Sequence, residues 1–236
     1  MGIKMSELDI NEIIHSGWFK DISESEIQKL IGCSDIREFR LGERIYSVGQ
    51  KSEYIYCILE GRVTLSLVEE NGEEFGLTIW EAGAWFGEAS LHEDGVMPIE
   101  AKISSDATIL ILPISALENC LDNAVTFYRN ITLDMIGRAK QLYQLVQLLL
   151  FRSLRARVAM RVILLIESFG ENEKGSMVLP IKFNQSDFAA MSGGSRQRVN
   201  QIFRRWAEAG IVKKENKRYV VHDMDALKQE LNATDD

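Results

Sequence analysis

Between residues 18 and 112, apolar and polar positions alternate in short runs at 36–41, 54–59, 62–68, 75–80, 99–103 and 108–113. A period of two turns one side of a strand to a core and the other to water. Gly42, Gly49, Gly61, the Asn71-Gly72 pair and Gly83 fall between runs, where tight turns are needed. Many short strands at even spacing predict a compact β-roll or barrel. Ahead of it, Ser23 and Glu26 have capping-box spacing, which predicts a short helix over 23–31.

Past residue 114 the period changes. Leu121, Tyr128, Met135, Leu142 and Leu149 recur every seventh position, with Val125, Thr132, Ala139 and Val146 as the partner row. This a/d pattern predicts a long helix over about 115–151, broken near 119–123, whose seam takes a second copy of the chain. The competing reading is a helix buried inside one domain. A further row, Ile136, Tyr143 and Leu150, is expected to pack on the roll.

Phe151-Arg152-Ser153 marks a boundary, with Ser153 as N-cap of a helix over 154–168. A polar turn (170–175) and a strand (177–183) follow. Asn184 then caps a short helix through Met191, Ser192-Gly193-Gly194 makes a turn, and Ser195 opens a second helix that stops before Gly210. Two helices joined by a glycine-containing turn form the helix-turn-helix pattern. Residues 211–212 and 218–221, around a polar turn at 213–217, read as a hairpin wing. The expected fold is α+β: an N-terminal β-roll, a long dimerisation helix and a C-terminal winged helix-turn-helix. The expected domains are 1–120 for effector sensing, 121–152 for dimerisation and hinge, and 153–236 for DNA binding.

At about 100° per residue the second helix of the motif divides cleanly. Val199, Ile202, Phe203 and Trp206 share one side; Arg196, Gln197, Asn200 and Gln201 share the other in the first two turns. Arginine can hold O6 and N7 of guanine together, and Gln or Asn can hold N6 and N7 of adenine. These four are the candidate base readers. Gln185, Ser195, Arg198, Arg205, Lys217 and Arg218 are the candidate phosphate contacts.

Charge sharpens that reading. The chain of 236 residues carries a net −8, yet 184–222 holds eight basic and three acidic side chains, a basic island in an acidic protein. No apolar run reaches the roughly 18–20 residues of a membrane span. Residues 1–16 lack the basic and apolar regions of a signal peptide, so a cytoplasmic protein is expected. Cys33, Cys57 and Cys120 are too scattered for a disulfide framework or a CxxC pair, and ordinary burial is their expected role. His15, His92 and His222 lie far apart, and there is no HExxH, P-loop or Ser-His-Asp set. Neither an enzyme nor a metal site is expected.

Three stretches resemble the superfamily of the cAMP receptor protein and the fumarate–nitrate reduction regulator (Crp/Fnr). SRQRVNQIFRRWAEAGIV (195–212) is similar to its recognition helix, FGEASL (86–91) to its phosphate-binding cassette, and GQKSEYIYCILEGRVTL (49–65) to its cyclic-nucleotide-binding roll. The resemblance implies a homodimeric transcription regulator of palindromic double-stranded DNA, working with RNA polymerase. It implies an effector pocket at Gly87, Glu88, Ala89, Pro98, Ile99 and Tyr143. The alternative is a ligand-sensing module that signals through protein contacts without reading DNA.

Two departures modify the expectation. The family's Arg-Glu-Arg base readers correspond to Arg196, Gln197 and Gln201, which predicts a site unlike its common TGTGA half-site. The cassette is degenerate: the family's phosphate-binding Arg-Ser pair is replaced by Pro98-Ile99. A phosphate buried there would lack its cation, at a cost of several kcal/mol. Neither cAMP nor cGMP is the expected effector, and no cofactor is expected. An apolar or uncharged ligand, or none, fits better.

Overall fold

The computed structural model describes residues 17–121, 124–173, 175–179 and 183–234. The expectations for residues 1–16, His15 and the end of the 177–183 strand (180–182) lie outside that range. The chain divides into two compact units, 1–140 and 141–236, and the division falls inside the long helix.

In the first unit, helix α1 (Glu24–Gly32) has the anticipated cap: Ser23 accepts from the Glu26 amide, and Glu26 reaches back to the Ser23 amide. Strands β1 (Asp35–Phe39), β2 (Arg44–Tyr46), β3 (Tyr54–Val68), β4 (Glu74–Glu81), β5 (Trp85–Phe86) and β6 (Glu100–Pro113) form one antiparallel sheet. Its main order is β1-β6-β3-β4, with β2 paired to β6 and β5 to β3.

The runs expected at 54–59 and 62–68 are a single strand, as are those at 99–103 and 108–113. Gly61 explains the first merger. It has φ +87°, and a Cβ there would lie 2.2 Å from the Asp106 carbonyl oxygen. The chain bulges at this point without leaving the ladder, and the β3–β6 register shifts around Glu60 and Arg62. The short strands β2 and β5 carry too little alternation to be read from sequence.

Side-chain alternation along β3 and β6 sorts two cores. Tyr56, Ile58, Ile109 and Ile111 join Tyr46, Phe86 and Ile103 in one cluster. Ile55, Cys57, Leu59, Leu110 and Leu112 face the other way, against Trp18, Phe19, Ile27 and Leu117.

Helices α2 (Ile114–Cys120) and α3 (Val125–Phe151) are separate, as the break near 119–123 suggested. Leu121 is therefore not on the long helix. It is the C-cap of α2 and is buried in the second core, so the seam on α3 begins later. Phe127 and Ile131 turn α3 toward that core, with Met135 partly buried beside them.

In the row Ile136, Tyr143 and Leu150, expected against the roll, Ile136 of the first unit is exposed instead, and Tyr143 and Leu150 of the second are exposed too. The row's members lie roughly 100° or more around the helix from Phe127 and Ile131, and Tyr128 and Val146 lie between, about 60° from Ile131. Both rows therefore belong to one wide apolar stripe facing solvent.

In the second unit, Ser153 caps α4 (Leu154–Phe169) by accepting from the Ala156 amide. Strands β7 (Glu171–Glu173), β8 (Ser176–Leu179), β9 (Val212–Glu215) and β10 (Arg218–Val221) form a sheet of order β7-β8-β10-β9. The expected polar turn at 170–175 is thus largely a strand and its hairpin. Helices α5 (Gln185–Ser192) and α6 (Arg196–Glu208) lie between β8 and β9, and α7 (Met224–Gln229) closes the unit.

Candidate functional site

The α5–turn–α6 element is built from local capping outward. Asn184 accepts from the amides of Ser186 and Asp187, and Asp187 accepts from the Asn184 amide, a capping box that fixes the start of α5. At the other end, Arg161 Nε donates to the Met191 carbonyl (2.7 Å) and Arg157 Nη2 to the Gly193 carbonyl (3.4 Å). Two guanidinium groups on α4 thereby satisfy carbonyls at a helix C-terminus, where positive charge is favourable. Gly194 is required by close approach: a Cβ there would lie 2.4 Å from Leu154 Cδ1. Ser195 then caps α6, accepting from the Arg198 amide.

Helix α6 is held by its apolar side. Val199, Ile202, Phe203 and Trp206 are buried. Phe203 meets Phe188 of α5 edge-on at 4.9 Å and Tyr219 of β10 at 4.6 Å, so both helices and the wing share one aromatic core. With that side fixed, Arg196, Gln197, Asn200 and Gln201 are all exposed on the outer face. Gln185 Nε2 donates to Asn200 Oδ1 (3.1 Å), joining the first helix to the second at the outer surface.

The wing is a tight hairpin, with Asn216 (φ 49°) and Lys217 (φ 66°) at its tip. Two consecutive left-handed residues form the turn type whose twist matches paired strands. Lys217 is exposed. Arg218, the other wing residue proposed for phosphate, is ion-paired with Glu173 of β7 (2.9 Å). Lys214 lies over the Tyr219 ring at 5.0 Å. Ser195, Arg198 and Arg205 are exposed along α6.

In the first unit the cassette residues Gly87, Glu88 and Ala89 lie at a single 3₁₀ turn (Glu88–Leu91), which Gly87 caps. Ala89 and Ile99 pack on the inner core, while Pro98 is exposed. Tyr143 is exposed on α3 in the second unit.

Sequence reasoning missed the group that occupies the cassette's carboxylate. Arg138 of α3 donates to Glu88 Oε2 (3.2 Å) and to the Trp85 carbonyl (2.6 Å), and pairs with Asp134 (2.7 Å). Its guanidinium lies over the Trp80 ring at 4.1 Å. Asp134 is anchored in turn by the Trp18 indole N–H at 2.7 Å. The available signal was the i,i+4 spacing of Asp134 and Arg138 on the long helix.

Tyr46 and Tyr56 line the same region with Phe86, their ring centroids 5.3–6.1 Å apart. Burial pushes the Tyr46 hydroxyl far above the ordinary tyrosine range, and the Glu88 and Tyr56 charges add to it. Burial raises Tyr56 too, against a hydrogen bond with Ser52. Both tyrosines are neutral hydroxyls at any physiological pH. Glu100 is also buried here and accepts from Arg44 Nε at 2.6 Å. Lys102 of β6, three residues past Ile99, is committed to Glu74 at 3.2 Å.

Among the described residues, no group of three or more His, Cys, Asp or Glu is placed to hold a metal, and no helix is long and apolar enough to cross a membrane.

Comparison with known proteins places both units. The cyclic nucleotide-binding domain family matches residues 36–124, and the Crp-like helix-turn-helix domain family matches 156–230. A CRP-like cAMP-activated global transcriptional regulator of Mycobacterium tuberculosis is 23% identical over 219 residues, covering 92% of this chain and 98% of the relative. A global nitrogen regulator of Synechococcus elongatus is 22% identical over 207 residues, covering 84% and 90%. The c-di-GMP responsive global regulator CLP of Xanthomonas campestris superposes with a TM-score of 0.75 at 15% identity, covering 85% of this chain and all of that one. With a cyclic-nucleotide-binding-like roll, a long helix and a helix-turn-helix in this order, the chain belongs to the Crp/Fnr superfamily of DNA-binding transcription regulators.

Proposed function

We propose that the chain acts as a homodimer on a palindromic DNA site, with one α6 entering each of two successive major grooves about 34 Å apart. The observation that carries this reading is the split of α6. Its Val199–Trp206 side is buried, and Arg196, Gln197, Asn200 and Gln201 stand exposed on the other. Arg196 reads guanine, and Gln197 or Gln201 reads adenine. Ser195, Arg198, Arg205, Lys217 and the α5 start at Gln185 serve phosphates; Arg218 does so after releasing Glu173. The exposed stripe of Tyr128, Leu142 and Val146, with Met135 and Leu149 partly buried along it, supplies the dimer seam. On a promoter the dimer works beside RNA polymerase.

The effector is neither cAMP nor cGMP. Pro98 and Ile99 offer a cyclic phosphate no charge, and Glu88 is held by Arg138. Effector binding in the roll, where it occurs, displaces Arg138 and biases the 151–153 junction between competent and incompetent states. Selection of binding sites from random DNA tests the reading: palindromes other than TGTGA with a guanine lost in Arg196→Ala are expected. Recovery of TGTGA palindromes overturns the base assignment, and no enrichment at all overturns DNA reading.

A further inference from the structure

Two of the three cysteines, 87 residues apart in sequence, meet in space. Cys33 is the C-cap of α1 and Cys120 the last residue of α2, and their sulfurs lie 3.6 Å apart. Cys33 is exposed, whereas Cys120 is buried behind it. Cys57 is separate, fully buried within β3.

We propose that Cys33 and Cys120 form a modification site, a dithiol that a hydroperoxide converts to an intramolecular disulfide. The sulfurs need to close from 3.6 Å to about 2.05 Å, a shift that side-chain rotation at two helix ends can share. Exposure assigns the first step to Cys33. Its thiolate attacks one peroxide oxygen, the O–O bond breaks, and the other oxygen leaves as the alcohol, or as water when the oxidant is hydrogen peroxide. Cys33 becomes a sulfenic acid, oxidised by two electrons.

Cys120 then attacks the Cys33 sulfur and displaces hydroxide, which departs as water with the proton from the Cys120 thiol. Two thiols and one hydroperoxide yield one disulfide, one alcohol and one water. Desolvation and the neighbouring Cys33 raise the Cys120 thiol above the ordinary range, so Cys33 rather than Cys120 initiates. Cys57, pushed up by burial alone and without a sulfur partner, stays reduced.

The test treats the native full-length protein with hydrogen peroxide, then counts alkylatable thiols after denaturation and maps peptides without reduction. The expected result is a fall from three thiols to one, a Cys33–Cys120 linked peptide 2 Da below the sum of its parts, and full recovery with dithiothreitol. In Cys120→Ser, the sulfenic acid on Cys33 persists and is trapped by dimedone. In Cys33→Ser, an exposed and structurally mild change, Cys120 keeps its thiol. The proposal fails if the native protein keeps three thiols, if only cross-links between chains form, or if Cys120 is lost equally fast in Cys33→Ser.

Discussion

The guanidinium of Arg138 lies 3.2 Å from the Glu88 carboxylate and stacks over Trp80, so the long helix carries its own cation into the cassette. Glu88 thus ties the cassette turn to α3 without any small molecule. Replacing Arg138 with Ala removes this pair, the Asp134 pair and the cation–π contact together. The side chains are partly exposed, so each is worth less than a fully buried pair. A combined loss of about 1–3 kcal/mol in the first unit is expected. Arg138→Lys should recover only part, since an ammonium cannot fork between Glu88 and the Trp85 carbonyl. Urea denaturation measures both, and a fully stable Arg138→Ala would remove the tether from consideration.

Two kinds of DNA contact should separate by salt. Arg196→Ala is expected to cost about 1–3 kcal/mol at the preferred site and to relax preference at one base pair per half-site. Lys217→Ala should weaken all sequences alike and lower the slope of log K against log salt by about one for each subunit. Fluorescence anisotropy across a salt series distinguishes them. A uniform loss across sequences in Arg196→Ala would return that residue to phosphate binding.

How far the chain could be read beforehand depended on whether a signal was local. Caps at Ser23, Ser153, Asn184 and Ser195 are contained within four residues, and each stands where the sequence puts it. The α6 faces follow from helix geometry alone. Strand breaks were misread where Gly61 allows a bulge, since a glycine marks a turn and a bulge alike. Leu121 fits the heptad arithmetic yet belongs to the break before α3, because spacing does not register where a helix begins. The contacts of Arg138 with Glu88 and Trp80, and of Cys33 with Cys120, join positions at least 50 residues apart. Only the folded sheet brings them together.

The exposed stripe on α3 gives a dimerisation prediction. Leu142 and Val146 are each about half exposed, at 50% and 44%, and flanked by Tyr143 and Leu150 at 72% and 70%. A run of this kind on a 27-residue helix is a cost in water unless covered. Leu142→Glu with Val146→Glu would place four like charges across a two-fold seam, and monomers are expected at micromolar concentration. Sedimentation velocity reads the mass directly. Unchanged dimers would move the interface elsewhere, and a monomeric wild type would remove it.

The last prediction concerns acid. Glu230 is buried and accepts from Arg155 Nη2 at 2.7 Å, with a second contact from Arg155 Nε. Hydrogen bonding by Arg155 holds its pKa below the ordinary 4.5, outweighing burial, which acts the other way. The folded state therefore releases this proton more readily than the unfolded chain does. Stability from the pair is fully present above about pH 4.5 and drains away as pH falls through the lower folded value. Glu230→Gln keeps an acceptor but loses the charge, and should cost about 1–3 kcal/mol at pH 7. Thermal unfolding of both proteins from pH 7 to pH 3 follows the difference, which should shrink on acidification. A gap that stays constant to pH 3 would mean that packing, rather than the ionised pair, accounts for the contribution of Glu230.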